Sequence, residues 1–364
     1  MKNKKIDLQP ANHGGKVMGS KFLKICVAAV LIGLPSMSIA KDLDRMELNV
    51  VAGVSTMNQY LLGEKPFYET VIVEDSEGAV SANVTPLDAL NIGGTDVMRL
   101  IESCATDIGT SAFAYFGNEV PAASGVDLPG LFSTLDELRA GVDAYRPVLD
   151  KTLAEQYNAK LLGVWGISNI MVFCRGEVTS LADLKGKNIR SYGTMLSALY
   201  EGLGANPITL AYAEVVPALE RGTLDCATTG ALSGNVSKWG EVSDTLYQLP
   251  IGPSNWFTAM NLDRWNALSP ELQTFLAAEF AKLEDQQWEL ARRENIEALS
   301  CAAGKQPCTL GVLDDMTVVA FDEADMPAFR EAVKTKVLPV WFELCGAECE
   351  ASWRGIVGPL VHGG

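Results

Sequence analysis

The chain alternates short apolar runs with segments of helical periodicity, and this alternation restricts the fold more than any other sequence feature. Helical spacing, for example at residues 94–101, separates several of the runs. Strands that are separated by helices are typical of parallel sheets covered by helices. We therefore expect an α/β fold with mainly parallel sheets. The predicted strands lie at residues 48–52, 80–84, 107–113, 161–164, 170–173, 187–191 and 223–227.

A long segment without helix breakers is the second constraint. Ser269 and Pro270 form a helix start, and no Gly or Pro follows until Gly304. At about 1.5 Å per residue, a helix of roughly 30 residues spans about 45 Å, which exceeds the width of one small domain. We expect this helix to bridge two lobes, with a hinge near Trp165 and Pro250.

The N-terminus has the pattern of an export signal. Lys21 and Lys24 precede an apolar stretch at residues 25–34, and small residues lead to Ala40. This pattern predicts a cleaved signal peptide over residues 1–40 and an exported mature chain from about Lys41. The alternative is a membrane anchor, but the stretch is shorter than the roughly 20 apolar residues that a spanning helix needs.

The charge and the histidine content exclude several function classes. The 364 residues include 29 Lys and Arg against 45 Asp and Glu, and cleavage removes six Lys and one Asp, which changes the net charge from −16 to −21. Such an acidic chain disfavours nucleic-acid binding. His13 lies in the signal and His362 at the C-terminus. We therefore expect no Ser-His-Asp or Cys-His catalysis, no metal site and no cofactor.

Seven cysteines remain after cleavage. An exported chain favours disulfides, and an odd number leaves at least one free thiol. The sequence spacing favours two local pairs, Cys301 with Cys308 and Cys345 with Cys349. Cys174 and Cys226 end strand-like runs, so they pair if those strands are neighbours and are otherwise buried thiols.

Three motifs in the middle of the chain resemble a known family. They are SLADLKGKNIR at residues 180–190, LGANP at 203–207 and EVVPALERGTLD at 214–225. Their order and spacing are similar to those of the extracytoplasmic solute receptors of TRAP transporters, the DctP-like family. The resemblance implies a two-lobed type II periplasmic-binding-protein fold that encloses a ligand. On this basis lobe I comprises residues 41–164 and 250–292, and lobe II comprises residues 165–249 and 293–364.

Arg190 is the strongest candidate for ligand binding. It ends a predicted parallel strand, where open α/β sheets place their ligands, and its guanidinium matches a carboxylate with two parallel hydrogen bonds. The resembled family uses the Arg of this motif to hold the carboxylate of its substrate. The alternative is a surface ion pair. Residues 226–235 lack the Glu-Asn-Pro and Glu-Trp patterns of sialic-acid and calcium-dependent keto-acid receptors, so we expect neither ligand class.

Further candidates lie at predicted strand ends or near the hinge. Trp165, Tyr192 and Trp256 are predicted to form pocket walls, and Asn169 and Asn255 to serve the hinge or the ligand. Thr228 and Thr229 offer hydroxyls to a ligand or cap the next helix. In the first lobe the candidates are Thr56, Gln59, Ser111 and Tyr115, whose alternative is an ordinary turn or strand-end role.

These observations predict a monomeric periplasmic receptor that captures a small organic acid and delivers it to a TRAP permease. The aromatic candidates favour a hydrophobic or aromatic monocarboxylate over a sugar acid. One alternative is a receptor that feeds a sensor protein. Another is a secreted enzyme that uses Ser111 or paired carboxylates without histidine, although no such pair stands out.

Overall fold

A computed structural model describes residues 43–361 of the chain. The predicted signal peptide, Cys26, His13 and His362 lie outside these residues. Eleven strands form within them: β1 Met46–Ala52, β2 Val80–Pro86, β3 Ile108–Ala112, β4 Ala159–Gly166, β5 Ile170–Cys174, β6 Asn188–Ser191, β7 Asn206–Thr209, β8 Cys226–Gly230, β9 Thr245–Tyr247, β10 Asn255–Asn261 and β11 Thr317–Val319.

Helices connect these strands, as the periodicity predicts. The α-helices are α1 Ile72–Asp75, α2 Gly94–Glu102, α3 Leu135–Tyr157, α4 Thr194–Gly202, α5 Val215–Glu220, α6 Ala231–Val236, α7 Leu262–Asn266, α8 Pro270–Ala302, α9 Met326–Ala332 and α10 Leu338–Ile356. Wider π-type turns occur at Gln59–Glu64, Phe67–Val71 and Val333–Val337. Tight 3-10 turns occur at Phe113–Phe116, Ala123–Val126, Leu181–Leu184, Tyr212–Glu214, Gly240–Val242, Glu323–Asp325 and Gly358–Leu360.

The strands form two separate sheets, which confirms the two-lobed α/β fold. The first sheet has the order β2-β1-β3-β10-β4, and the second has the order β11-β9-β5-β8-β6-β7. The parallel prediction is correct for β1 with β2 and β3, and for β6 with β7 and β8. Each sheet is nevertheless mixed, because β10 runs antiparallel to β3 and β4, and β5 runs antiparallel to β8 and β9.

One predicted strand begins later than expected. We expect a strand over residues 223–227, whereas β8 starts at Cys226. Gly222 has a left-handed φ of 71°, and the peptide N–H of Thr223 donates to the carbonyl of Ala218. This turn closes α5 and keeps residues 223–225 out of the sheet.

The long helix forms as predicted and contacts both sheets. Helix α8 follows Ser269, has Pro270 in its first turn and extends for 33 residues. Its first half, including Phe275 and Phe280, packs with β1, whereas Ala298 and Cys301 pack with Phe173 of β5. No helix within residues 43–361 is long and apolar enough to cross a membrane. The exact limits of the two lobes stay a prediction.

The three predicted cysteine pairs all form disulfides. Cys174 and Cys226 lie opposite each other on β5 and β8, so the condition for their pairing is met. Cys301–Cys308 ties the end of α8 to the following loop, and Cys345–Cys349 closes a short loop within α10. Cys104 is exposed and is the free thiol in this part of the chain.

Candidate ligand-binding site

Arg190 lies on β6, between β8 and β7, near the carboxyl ends of these strands. Its Nε donates to the carbonyl oxygen of Leu210 at 3.1 Å, and its Nη1 donates to the carbonyl oxygen of Thr228 at 2.7 Å. These carbonyls belong to segments on either side of β6. They hold the planar guanidinium in one orientation.

Arg190 is a buried cation without an acidic partner. Its exposed fraction is 1%, and it is the only buried Lys or Arg within residues 43–361. No carboxylate in that part of the chain forms an ion pair with it. Burial lowers the pKa of Arg190, but a guanidinium stays protonated in proteins. Because a buried, unpaired charge is costly, this arrangement suits a bound anion.

Three aromatic rings surround the guanidinium. The carbon Cζ of Arg190 lies 5.4 Å from the ring centre of Tyr192, 5.9 Å from that of Tyr212 and 5.8 Å from that of Trp239. Such contacts stabilise a cation through the negative face of the ring. Tyr192 was a sequence candidate, whereas Tyr212 and Trp239 were not. Tyr212 starts the turn after β7. Its position after the end of a strand is the sequence signal that could have identified it as a site residue.

The first sheet contributes Tyr115 to the same site. Tyr115 lies in the turn after β3, and its side chain is close enough to Arg190 for the charge of the guanidinium to lower the pKa of its hydroxyl, against the larger effect of burial, which raises it. The ring centre of Tyr115 lies 6.5 Å from that of Tyr192 and 6.1 Å from that of Trp256. Trp256 in turn lies opposite Trp165 in the register of β10 and β4. Both tryptophans are buried, and Trp165 Nε1 has no hydrogen-bond partner among residues 43–361.

Loops and helix ends attached to the two sheets also contact each other directly. The hydroxyls of Thr56 and Ser237 are 2.7 Å apart, and Thr194 Oγ1 donates to Asn118 Oδ1 at 2.7 Å. These contacts join the loop after β1 to the end of α6, and the turn after β3 to the start of α4. The structure therefore has the two halves closed over Arg190.

The two predicted threonines lie at the end of β8, beside Arg190. Thr228 is buried, and its hydroxyl shares a hydrogen bond with Tyr200 while its carbonyl accepts from Arg190. Thr229 is buried next to it in the same strand. Neither residue caps the next helix, because α6 begins after Gly230 without a side-chain cap. Thr228 thus supports the guanidinium directly.

The remaining candidates make contacts elsewhere. Gln59 Nε2 donates to Glu294 of α8 at 2.7 Å, and Ser111 Oγ donates to the carbonyl of Gly94 at 2.9 Å. Asn255 Nδ2 donates to the carbonyl of Val126 at 3.0 Å. Asn169 Oδ1 accepts a hydrogen bond from Asn295 Nδ2 of α8. Asn169 also lines a separate cavity of about 200 Å³.

Asp127 is a partly buried acid that the sequence does not point to. Its Oδ2 accepts from the peptide N–H of Ala114 at 3.2 Å and from Ser254 Oγ at 3.0 Å. Burial raises the pKa of Asp127 to about 8. The residue lines a small cavity together with Tyr192 and Gly193. Within residues 43–361 there is no cluster of His, Cys, Asp and Glu that could hold a metal ion.

Two curated proteins are similar to the chain in sequence. A solute-binding protein of Sulfitobacter sp. (strain NAS-14.1) is 26% identical over 57% of this chain and 63% of that protein, so this alignment spans less than two thirds of the relative. The C4-dicarboxylate-binding periplasmic protein DctP of Rhodobacter capsulatus is 24% identical over 78% of this chain and 83% of its own length.

A solved structure and a family model agree with these relatives. The extracytoplasmic solute receptor DctP7 of Bordetella pertussis, which binds pyroglutamic acid, superposes with a TM-score of 0.76. It is 22% identical, and the match covers 85% of this chain and 99% of that chain, which supports the fold. The model for bacterial extracellular solute-binding proteins, family 7 (DctP), matches residues 55–342. The chain therefore belongs to the DctP family of bacterial extracellular solute-binding proteins.

Proposed function

We propose that this chain is a periplasmic receptor that binds a small organic acid at Arg190 and delivers it to a TRAP permease. The observation that carries the proposal is the buried guanidinium of Arg190, which has no acidic partner within residues 43–361. An enclosed carboxylate would neutralise this charge and accept the remaining guanidinium N–H groups. In this proposal the guanidinium of Arg190 recognises the ligand, because the carboxylate of the ligand supplies the negative charge that the protein lacks there.

The contacts between the two halves support binding by closure. In the proposed mechanism the acid enters an open cleft and binds Arg190, after which Tyr115 closes over it from the first sheet. The rings of Tyr192 and Trp239 exclude water, which strengthens the ion pair because the local dielectric constant falls. The acid favours the closed state only by the difference between its affinities for the two states.

The relatives support an acid as the ligand. The name of the Rhodobacter protein specifies C4-dicarboxylates, and the Bordetella structure holds pyroglutamic acid. These compounds differ in size and charge but share a carboxylate. We therefore propose that the carboxylate binds Arg190 and that the rest of the acid contacts the surrounding aromatic side chains.

A ligand screen tests the proposal. Native mass spectrometry of the freshly purified mature protein is expected to show a retained small acid, and thermal-shift assays with a panel of carboxylates are expected to raise the melting temperature. The recovered acid should be chemically unchanged, which separates a receptor from an enzyme. Absence of a retained acid together with no shift across the panel would contradict the proposal.

Delivery to a permease needs a separate experiment. Membrane vesicles that contain the permease encoded with this receptor are expected to take up the radiolabelled acid only when the purified receptor is added. Arg190→Met serves as the control, because it should fold but not load. Binding of the acid without receptor-dependent uptake would favour a partner other than a permease, such as a sensor protein.

A further inference from the structure

A row of three hydroxyl groups runs from the first half of the protein to the surroundings of Arg190. Thr56 lies in the loop after β1, and its Oγ1 is 2.7 Å from Oγ of Ser237, which follows α6 in the second half. The hydroxyls of Ser237 and Tyr212 are 3.0 Å apart and hydrogen-bonded. Because a hydroxyl can donate and accept at the same time, Thr56, Ser237 and Tyr212 form one connected row, which we call the hydroxyl row.

Tyr212 is the end of the hydroxyl row that lies beside Arg190. Its ring centre is 5.9 Å from Cζ of Arg190 and 5.1 Å from the ring centre of Trp239, which itself lies beside the guanidinium. Its hydroxyl also donates to the carbonyl oxygen of Ser233 at 2.8 Å. The ring and the hydroxyl of a tyrosine form one rigid group. The partners of the hydroxyl therefore determine where the ring lies relative to the cation.

Thr56 is the contribution of the first half to the hydroxyl row. It is exposed, whereas Ser237 is partly buried, and the two residues lie 181 positions apart in the chain. Removing the hydroxyl of an exposed threonine changes little packing. It would nevertheless break the hydroxyl row at the point where the two halves meet.

We propose that Thr56, acting through Ser237, positions the ring of Tyr212 against Arg190 in the closed protein and thereby tightens binding of the acid. The inference rests on the proposed function, in which Arg190 holds the carboxylate of the ligand. Thr56 is then a positioning residue and not a ligand contact. A ring that is fixed beside a cation stabilises it at a smaller cost in conformational entropy. The hydroxyl row thus adds to the affinity of the closed state for the acid.

A second contact between the two halves allows this role to be separated from simple attraction between them. Thr194 Oγ1 donates to Asn118 Oδ1 at 2.7 Å, the distance that also separates the hydroxyls at the start of the hydroxyl row. If Thr56 only held the halves together, its hydroxyl would act independently of Tyr212. If Thr56 acts through Tyr212, its contribution should vanish when the Tyr212 hydroxyl is removed.

A double-mutant cycle on the full mature protein tests the inference. Isothermal titration calorimetry measures the affinity for the tightest-binding acid among pyroglutamate, benzoate, succinate and glucuronate. Thr56→Val is expected to weaken binding about two- to tenfold, the range that the loss of one hydrogen bond predicts. Thr56→Ser, which keeps the hydroxyl, should restore the affinity. In the Tyr212→Phe background, Thr56→Val should have no further effect.

Thr194→Val is the matched control, because it also removes a hydrogen bond between the halves. It should weaken binding by the same factor with and without Tyr212→Phe. Thr274→Val removes an exposed hydroxyl that bonds within α8 and should leave the affinity unchanged. Circular dichroism checks the fold of each variant.

Two results would overturn the inference. One is an unchanged affinity of the Thr56→Val variant, and the other is an equal loss from Thr56→Val in the presence and absence of the Tyr212 hydroxyl. If the unmodified protein binds none of the four acids, the proposed function and this inference both fail. If an acid binds and the two substitutions act additively, only this inference fails.

Discussion

Gly193 and Ala114 approach each other so closely that a Cβ atom at position 193 would lie 2.4 Å from the carbonyl oxygen of Ala114. Gly193 follows β6 of the second sheet, and Ala114 lies in the turn after β3 of the first. The backbone of Gly193 is extended, with φ −172°, so glycine is needed here for space and not for its conformation. The two halves therefore meet, backbone against backbone, beside Arg190.

Gly193→Ala is expected to weaken ligand binding by about ten- to a hundredfold. The added methyl group overpacks a contact that forms on closure, and overpacking costs about 1–3 kcal/mol. The melting temperature of the ligand-free protein should change little if the open state predominates there. Gly355→Ala is the control, since a Cβ at position 355 meets no atom within 4 Å. Unchanged affinity of the Gly193 variant would contradict closure at this contact.

Arg190→Met is expected to reduce the affinity for the acid at least about 100-fold, because it removes the charge and the hydrogen bonds to the carboxylate. Arg190→Lys should recover part of the affinity, since it restores a point charge but not the planar guanidinium. Arg221→Met, at an exposed arginine after α5, serves as the control. Calorimetric titration measures the affinities, and circular dichroism checks the fold. Retained tight binding by the Met variant would remove Arg190 from the site.

The three disulfides should contribute unequally to stability. Cys174 and Cys226 are 52 residues apart in sequence, whereas Cys345 and Cys349 are 4 residues apart. Loop-closure entropy then predicts that replacing both cysteines by Ala costs about 4 kcal/mol for the first pair and about 2 kcal/mol for the second. Denaturant unfolding of the two double variants measures the difference. Equal losses, or a larger loss for Cys345–Cys349, would show that the entropy of the unfolded chain does not dominate.

Glu64 should make the stability of the protein depend on pH. Its carboxylate is buried beside β1 and β3 and accepts from Gly53 N at 2.9 Å and Thr110 Oγ1 at 2.5 Å. Burial raises its pKa from an ordinary 4.5 to about 7. Below pH 4.5 the carboxyl group of Glu64 is protonated in both the folded and the unfolded state. Between pH 4.5 and 7 the unfolded state ionises first, so the free energy of unfolding falls by about 3 kcal/mol and stays lower above pH 7.

Glu64→Gln removes this ionisation. The amide keeps the shape, accepts from Gly53 with its oxygen and donates to Thr110 with its nitrogen, because a hydroxyl can reverse its role. The variant should therefore gain stability relative to the unmodified protein as the pH rises from 4.5 to 7. Urea unfolding at several pH values measures this gain. A constant difference between the two proteins across that range would show that Glu64 does not titrate as expected.

Local patterns were sufficient for much of the architecture. The alternation of apolar runs predicts seven of the eleven strands, and it misses β7, β9, β10 and β11. The breaker-free segment predicts α8 to within a few residues. Both features depend on residues that are close in sequence, so the periodicity of apolar residues predicts them directly. The strand predicted from residue 223 starts only at Cys226, because the left-handed turn at Gly222 closes α5 and keeps residues 223–225 out of the sheet.

The surroundings of Arg190 could be predicted only in part. The motif at residues 180–190 and the strand-end rule point to Arg190 and Tyr192, which are close in sequence. Tyr115 follows β3 and approaches Tyr192 only when the two sheets face each other. Trp239 packs with the second sheet itself and reaches Arg190 through the tertiary packing of that half. Gln59 has the residue type and strand-end position of a site residue, yet it contacts Glu294, because α8 packs against that turn.

The sequence by itself determined the α/β class, the long bridging helix, the local cysteine pairs and the candidate arginine, since each depends on periodicity, spacing or a continuous motif. The tertiary structure alone decided that Arg190 is buried without an acidic partner in residues 43–361 and that three aromatic rings surround it. Burial and pairing depend on contacts between distant segments, and no local pattern records them. For this reason the sequence points to the arginine, while its isolation from acidic side chains follows from the fold.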